Sequence, residues 1–119
     1  MISIGTDIIK VSRIDNLIKN KGDKFLNKVF TESEIKYCNS NEYPAQHFSG
    51  KFSAKESIKK ALLSKKIIDF ISLKDIEISN NQDKSPYVSI HKTLKDDLNC
   101  HISISHDGDY AVAFALIEK

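Results

Sequence analysis

A helical pattern in the middle of the chain constrains the fold more than any other feature of the sequence. Pro44 suits the first turn of this helix, and the pattern continues from about Ala45 to Ser64, which is roughly 30 Å at 1.5 Å per residue. Gly50 inside the helix costs about 1 kcal/mol relative to alanine and therefore predicts close packing there. A chain of 119 residues is long enough for one domain. We therefore predict a single domain, spanning residues 1–119, in which a sheet packs on this long helix.

Two charged side chains, Glu56 and Lys60, lie one turn apart on this helix because four positions separate them. Phe48 and Phe52 precede them at the same spacing, so Glu56 lies at the edge of an apolar stripe. The pair is either an ordinary ion pair, which stabilises a helix by about 0.3–0.5 kcal/mol, or the acid and base of a site. The choice between them depends on other residues.

The first of these is Asp7, which lies near the end of a strand predicted from Ile2 to Ile9. An isolated aspartate there is either a turn or cap residue or a ligand of Mg²⁺. Because Mg²⁺ prefers one or two carboxylates together with waters and phosphate oxygens, Asp7 and one distant carboxylate suffice if the substrate supplies phosphates.

His106 follows the predicted strand residues Ile102-Ser103-Ile104-Ser105 and opens a tight turn. The histidine is either an exposed turn residue bonded to the backbone or, with Ser105, a contact for a phosphate. No base is placed against a serine as in a nucleophilic triad, and the four glycines form no phosphate-binding loop.

The remaining elements alternate between short helices and strands. Thr31 and Glu34 form a capping-box pattern, which predicts a helix over Glu32 to Cys38. The other predicted helices are Val11 to Asn20, with Ser12 as a candidate first residue, Asp23 to Phe30 and Thr93 to Asn99. The other predicted strands are Asp75 to Ser79, Pro86 to His91, His101 to Ser105 and Tyr110 to Glu118.

These elements predict an α+β fold, in which a mainly antiparallel sheet packs against the long helix. The pair Asp107-Gly108 is a strong hairpin signal between the last two strands. Small side chains line one face of the final strand and let a helix approach closely; they are Ala111, Ala113 and Ala115.

Composition excludes some classes of protein and leaves others open. No apolar run of about 18 residues predicts a membrane span, and the N-terminus carries no secretory signal pattern. Cys38 and Cys100 lack metal-ligand spacing; they are either a disulfide pair or, as the simpler interpretation, two free thiols in a reducing cytoplasm. The net charge is +2, but residues 1–28 carry a local excess of three positive charges. That excess suits an acidic protein, a phosphate-bearing ligand or RNA, or is simply a solvated face.

Four motifs in order resemble the holo-acyl-carrier-protein synthase family, the small 4′-phosphopantetheinyl transferases of bacteria. They cover nearly the whole chain: Ile4-Gly5-Thr6-Asp7-Ile8-Ile9 through Arg13-Ile14; Phe30-Thr31-Glu32-Ser33-Glu34; Phe52-Ser53-Ala54-Lys55-Glu56 through Lys60-Ala61-Leu62; and Ile102-Ser103-Ile104-Ser105-His106-Asp107 with Tyr110-Ala111-Val112-Ala113. The resemblance implies Mg²⁺-dependent transfer of 4′-phosphopantetheine from coenzyme A to a serine of apo acyl carrier protein, releasing adenosine 3′,5′-bisphosphate. It also implies a cytoplasmic homotrimer that supports fatty acid biosynthesis.

The resemblance also implies a role for individual residues. Asp7 and Glu56 match the Mg²⁺ ligands. The catalytic residues are then expected to come from one subunit; they are Asp7, Glu56 and Lys60. Lys60 matches the lysine that contacts the phosphates of coenzyme A. Ser105 and His106 match the motif that binds its nucleotide end, and are expected from the neighbouring subunit. Arg13, the only arginine, matches a basic residue that meets the acidic carrier.

Two departures from the family pattern and two competing hypotheses remain. Longer relatives carry a third acidic ligand where this chain has Ile9, and the segment 65–70 lacks the glycines that are frequent in the family. One competing hypothesis is a small RNA-binding domain, although no sheet motif for base stacking is present. The other is a trimeric structural subunit with an inactive site. Under the family resemblance, neither a nucleic acid nor a membrane is an expected partner.

Overall fold

The computed structural model describes all 119 residues and contains five strands and four α-helices. The strands are β1 (Ile2–Lys10), β2 (Ile76–Asn80), β3 (Pro86–Ile90), β4 (Asn99–Asp107) and β5 (Tyr110–Glu118). The helices are α1 (Val11–Lys21), α2 (Asp23–Val29), α3 (Glu32–Asn39) and α4 (Pro44–Ser64), and a 3-10 turn covers Leu73–Asp75. The predicted α+β class, the long helix and both hairpins are confirmed.

A three-stranded antiparallel sheet in the order β1-β5-β4 carries helix α4, and β2 and β3 form a separate hairpin. Register brings Asp7 opposite Ala113, which in turn lies opposite Ile104 on β4. The three alanines of β5 are fully or almost fully buried. The predicted small-residue face is therefore the face on which α4 packs.

Gly5 allows β1 to approach α4 at backbone distance. A Cβ at this position would lie 2.1 Å from the Ser57 carbonyl oxygen and 2.9 Å from the Ala61 amide nitrogen. Ser3 reinforces the contact, because its Oγ donates to the Ala61 carbonyl at 2.6 Å. These contacts fix the position of the helix relative to the strand that carries Asp7.

A buried ion pair joins α3 to α4. Lys55 Nζ lies 2.7 Å from Glu34 Oε1, and both side chains are almost completely buried. Glu34 also closes the predicted capping box with Thr31 and accepts from the Ile78 amide. Burial lowers the pKa of Lys55, and the neighbouring Glu34 carboxylate opposes that shift. The pair therefore ties the two helices to the β2–β3 hairpin.

The predicted helix over Thr93 to Asn99 is wrong, because this segment forms bends that lead into β4. A helix of that length has too few internal hydrogen bonds to offset its nucleation. Only Leu98 of the segment packs against the buried core, while Lys95, Asp96 and Asp97 are exposed. No broad apolar face was present to stabilise a helix by packing.

The prediction that Ser12 starts α1 also needs correction. The helix begins at Val11, and its first turn is capped from the β4–β5 turn. Asp109 accepts from the Ser12 amide at 3.0 Å and from its hydroxyl at 2.7 Å, and the Asp109 carbonyl accepts from the Val11 amide. A carboxylate near a helix N-terminus is favourable because it satisfies free amides and opposes the helix dipole.

Helix α4 ends in a Schellman motif, although the 65–70 segment contains no glycine. Lys66 adopts a φ of 54°, and the Ile67 and Lys66 amides donate to the Leu62 and Leu63 carbonyls. A left-handed residue at this point usually is glycine. The segment therefore turns as a glycine-containing loop would, with lysine in the left-handed position.

The two cysteines are free, in agreement with the sequence interpretation, and Cys38 is buried. Burial raises the pKa of the Cys38 thiol to about 12. None of the helices combines the length and the apolar character that crossing a membrane requires.

We expect Glu77 to make the stability of the fold sensitive to acid. Thr31 and Ser33 hydroxyls donate to its carboxylate, with His91 Nε2 3.0 Å away, and together they hold the pKa of Glu77 at about 2, below its ordinary 4.5. A lowered folded-state pKa stabilises the fold above about pH 4.5, and this contribution is lost as pH falls toward 2.

Urea unfolding at pH 7, 4 and 3 measures this effect. Glu77→Gln should lower stability at pH 7 by about 1–2 kcal/mol after allowance for solvent screening, and should flatten the loss of stability below pH 4.5. Glu42→Gln, an exposed carboxylate without an ion pair, is the control. Equal acid sensitivity of Glu77→Gln and the wild type would contradict the assignment.

Candidate active site

Asp7 lies on the face of β1 that is covered by α4, and one of its carboxylate oxygens has no partner. Its Oδ2 is buried and makes no hydrogen bond, while Oδ1 lies 3.3 Å from Lys60 Nζ. Leaving a buried polar atom unsatisfied costs about 1–3 kcal/mol. An acceptor held in this state is suited to a ligand that supplies positive charge.

Three polar residues of α4 face the end of β1 because they are spaced three and four positions apart. Ser53 Oγ donates to the Asp7 carbonyl at 2.9 Å. About two turns further along, Lys60 Nζ donates to the Thr6 carbonyl at 3.0 Å. Glu56 lies between them on the same helix face and is half-buried. The helix therefore brings Glu56 to the part of β1 that carries Asp7.

The simple ion pair between Glu56 and Lys60 does not form. Lys60 instead bonds to Asp7 and to the Thr6 carbonyl, and Glu56 makes no hydrogen bond or ion pair within the chain. A half-buried carboxylate without a partner and a lysine that is 55% exposed remain available to a ligand. The interpretation of Glu56 and Lys60 as an ordinary ion pair is therefore the weaker one.

The protein supplies only some of the ligands that a divalent cation needs. Asp7 and Glu56 supply carboxylate oxygens, which Mg²⁺ prefers. Asp7 Oδ2 accepts no hydrogen bond within the chain and is therefore free to act as a metal ligand. No group of three or more His, Cys, Asp or Glu side chains converges anywhere. Ile9, two residues after Asp7 on the same face of β1, is buried in the core and offers no ligand oxygen. Substrate oxygens and waters would therefore complete the coordination.

Ser105 and His106 lie on opposite faces of the sheet, as neighbouring residues of a strand do. Ser105 pairs with Val112, on the face that α4 leaves uncovered, whereas His106 pairs with the buried Ala111. Neither residue contacts Asp7 within the chain. A single subunit therefore does not bring these two residues together with Asp7, Glu56 and Lys60.

His106 opens onto a cationic cavity of about 220 Å³. Three further basic side chains line it, His47 and Lys51 from α4 and Lys84 from the β2–β3 turn. Burial, and then the charges of His106 and Lys51, lower the pKa of His47. Sequence reasoning missed these residues, because a lysine among seventeen carries no signal. Only the helix glycine Gly50 pointed to a close contact here.

Lys51 is buried although it lines this cavity. Its Nζ donates to the Ile78 carbonyl at 2.6 Å and to Asn80 Oδ1 at 2.7 Å, and it lies 4.6 Å from the centroid of the Tyr37 ring. Burial lowers the pKa of Lys51. The ammonium is therefore held in a fixed position beside the cavity.

Arg13 is exposed on α1, and the last turn of the same helix carries Lys19 and Lys21. Asp15 pairs with Lys19 at 2.9 Å and neutralises part of this charge. The guanidinium of Arg13 makes no ion pair within the chain, so its planar set of donors is free for a carboxylate or a phosphate.

The uncovered face of the three-stranded sheet, here called the outer face, is largely apolar. Its central strand β5 presents Val112 and Phe114, and β1 presents Ile4 and Ile8 beside them. All four side chains are exposed. Exposed apolar patches of this kind mark interaction surfaces in most soluble proteins.

The family profile described as "4'-phosphopantetheinyl transferase superfamily" matches residues 3–115, and the chain belongs to that superfamily.

Individual relatives agree over nearly the whole length. The chain is 46% identical over 114 residues to a holo-[acyl-carrier-protein] synthase of Thermodesulfovibrio yellowstonii, covering 96% of each chain. Among solved structures it resembles a holo-(acyl-carrier-protein) synthase from Bacillus anthracis in complex with coenzyme A (3′,5′-ADP), with a TM-score of 0.80, 30% identity, and coverage of 97% and 94%. The Helicobacter pylori synthase in complex with coenzyme A gives a TM-score of 0.79 at 30% identity, with coverage of 97% and 99%.

Proposed function

We propose that this chain is a holo-acyl-carrier-protein synthase, which transfers 4′-phosphopantetheine from coenzyme A to a serine of apo acyl carrier protein and releases adenosine 3′,5′-bisphosphate. The observation that carries the proposal is the buried, unpartnered Oδ2 of Asp7 on a strand that faces Glu56 and Lys60. Relatives that bear this name and bind coenzyme A support the choice of substrate.

In this proposal Asp7 and Glu56 are the residues that would hold Mg²⁺. When bound, Mg²⁺ would neutralise the charge that develops on the diphosphate during transfer. Mn²⁺ offers similar oxygen coordination, and the residues do not distinguish the two. The chain's own contribution would be two carboxylates that come from distant parts of the sequence.

Glu56 is the proposed general base. It takes the proton of the carrier serine directly or through a bound water, and the serine oxygen then forms a bond to the phosphorus of phosphopantetheine. The bond between that phosphorus and the adenosine bisphosphate oxygen breaks. Lys60, which is exposed and bonded only to Asp7 and a backbone carbonyl, turns to stabilise the departing phosphate.

The nucleotide end of coenzyme A is assigned to the cationic cavity at His106. Four basic residues surround it, which suits the 3′-phosphate; they are His47, Lys51, Lys84 and His106. Ser105 faces the other side of the sheet, where a neighbouring copy would lie. A site assembled between copies of the chain therefore accounts for both residues.

Assembly as a homotrimer is the second part of the proposal. The outer face is apolar, exposed and made of the strands that flank the site. Burial of such a face against another copy is favourable at about 25 cal/mol per Å². This arrangement would bring Asp7, Glu56 and Lys60 of one subunit near Ser105 and His106 of the next.

The acidic carrier is expected to dock on α1 through Arg13 and the basic residues around it. Such contacts are screened by salt, so the KM for the carrier should rise as ionic strength increases. In this proposal the carrier serves fatty acid biosynthesis, and the protein acts in lipid metabolism in the cytoplasm without a nucleic acid or membrane partner.

A mass measurement tests this function. Incubation with an apo carrier protein, coenzyme A and Mg²⁺ should add one phosphopantetheine group to the carrier, and excess chelator should prevent the addition. A carrier that stays unmodified in all conditions would contradict the proposal and favour an inactive structural subunit. Retention of RNA on a filter at physiological salt would instead favour an RNA-binding domain.

A further inference from the structure

The orientation of His106 depends on two features of α4. Its Nε2 lies 3.1 Å from the carbonyl oxygen of Gln46. The ring also lies against Gly50, where a Cβ would be 2.9 Å from Nε2 and 3.0 Å from Cε1. A residue larger than glycine at position 50 would therefore displace the imidazole.

The partner of Nε2 determines where the protons of the ring lie. A backbone carbonyl accepts but cannot donate, so Nε2 must carry the hydrogen. In a neutral imidazole the other nitrogen, Nδ1, is then an acceptor only. A phosphate also offers only acceptors once it is fully ionised. The neutral ring therefore has no hydrogen to give through Nδ1 to an anion in the cavity.

We infer that Gly50 and the Gln46 carbonyl are positioning elements that commit Nε2–H of His106 to the helix, so that His106 binds a phosphate only after Nδ1 takes up a proton. The inference rests on the proposed function, because it assigns the phosphate to the nucleotide end of coenzyme A. Binding of that phosphate is then coupled to proton uptake by a neutral ring.

The titratable groups around the ring are mainly basic side chains. On α4 they are His47 and Lys51, and the β2–β3 turn contributes Lys84. Tyr37 lines the cavity from α3, and β5 offers only Ala111 opposite His106. Asp107, the nearest residue along β4, projects to the other face of the sheet. A dianionic phosphate would therefore be the main partner of the imidazolium.

Calorimetric titration with coenzyme A in Hepes and in Tris at pH 7.0–8.5 tests the inference, since the two buffers have different ionisation enthalpies. The wild type should take up part of a proton on binding, and its Kd should rise up to tenfold per pH unit as the protonated fraction falls. Dephospho-coenzyme A, which lacks the 3′-phosphate, should bind without this uptake.

Two variants complete the test, and Ser64→Ala, an exposed position at the end of α4, is the control. His106→Gln carries a permanent donor and should bind with little dependence on pH. Gly50→Ala should weaken coenzyme A binding about tenfold, by loss of a charge-assisted hydrogen bond, while the helical circular dichroism signal is retained. The ¹⁵N shifts of His106 in the free wild type should report hydrogen on Nε2 above pH 8.

The outcomes separate this inference from the proposed function. Normal transfer and coenzyme A binding without proton uptake, or hydrogen on Nδ1 in the free protein, would overturn the inference and leave the function intact. Absence of coenzyme A binding altogether would overturn both. If Gly50→Ala fails to fold, the ¹⁵N shifts and His106→Gln still decide the question.

Discussion

Glu56→Gln is expected to reduce transfer of phosphopantetheine by about 1,000-fold or more. The amide has almost the same shape as the carboxylate, but it carries no charge to hold a cation and cannot accept the serine proton. Both proposed roles are therefore lost at once. The loss should appear in kcat, and in the apparent affinity for Mg²⁺ measured by titration of activity.

The fold of this variant should be intact, because Glu56 makes no hydrogen bond or ion pair within the chain. Its thermal unfolding midpoint should match that of the wild type within 1–2 °C, an effect of about 0.5 kcal/mol or less. Glu32→Gln, an exposed carboxylate in the first turn of α3, should keep full activity. Wild-type turnover in Glu56→Gln would contradict the assignment of Glu56 both as general base and as metal ligand.

Phe114→Glu should break the assembly and the activity together. Phe114 is 45% exposed at the centre of the outer face, on the middle strand β5, so the substitution costs an isolated subunit little. In a trimer it would bury a carboxylate without a partner, which costs several kcal/mol and weakens association by about 1,000-fold or more. Sedimentation at micromolar concentration should show a single-chain mass.

A matched control exists on the β2–β3 hairpin. Tyr87 is 46% exposed, also on a strand, but it lies away from the outer face, so Tyr87→Glu should leave both mass and transfer unchanged. Transfer by Phe114→Glu should fall at least 100-fold, because the dissociated subunit lacks its neighbour's residues. A variant that sediments as one chain yet transfers at the wild-type rate would show that the site needs no neighbour.

The elements with regular sequence patterns were predicted well. Helix α4 was recognised within one residue of its bounds, since Pro44 and the spacing of Phe48 and Phe52 mark a helix. The capping box at Thr31 and the two hairpins also formed as predicted. Each of these signals is local, so the physical cause is contained in a few neighbouring residues.

The features that prediction missed depend on contacts between distant parts of the chain. The cap of α1 comes from Asp109, which is 97 positions from Ser12. Lys51 and Lys55 resemble surface lysines in the sequence, but the β2–β3 hairpin and Glu34 cover them. No local pattern distinguishes a lysine that is buried with a partner from one that is solvated.

For the site, the sequence predicted Asp7, Glu56 and Lys60, and the fold brings Lys60 to Asp7 and Glu56 to the same helix face as Lys60. Their division of roles remains a prediction. The resemblance assigned Ser105 and His106 together to the nucleotide end of coenzyme A, but adjacent residues of a strand project to opposite faces. Whether both reach one ligand depends on a neighbouring copy, which no pattern within one chain specifies.

The central claim is that Asp7 and Glu56 together hold one divalent cation on the diphosphate of coenzyme A. Anomalous diffraction from crystals grown with coenzyme A and Mn²⁺ tests it directly, because Mn²⁺ accepts similar oxygen ligands and its position can be measured without an assay. We expect one strong peak bound by oxygens of both carboxylates and of the diphosphate. A diphosphate bound elsewhere, or a peak that neither Asp7 nor Glu56 contacts, would contradict the account.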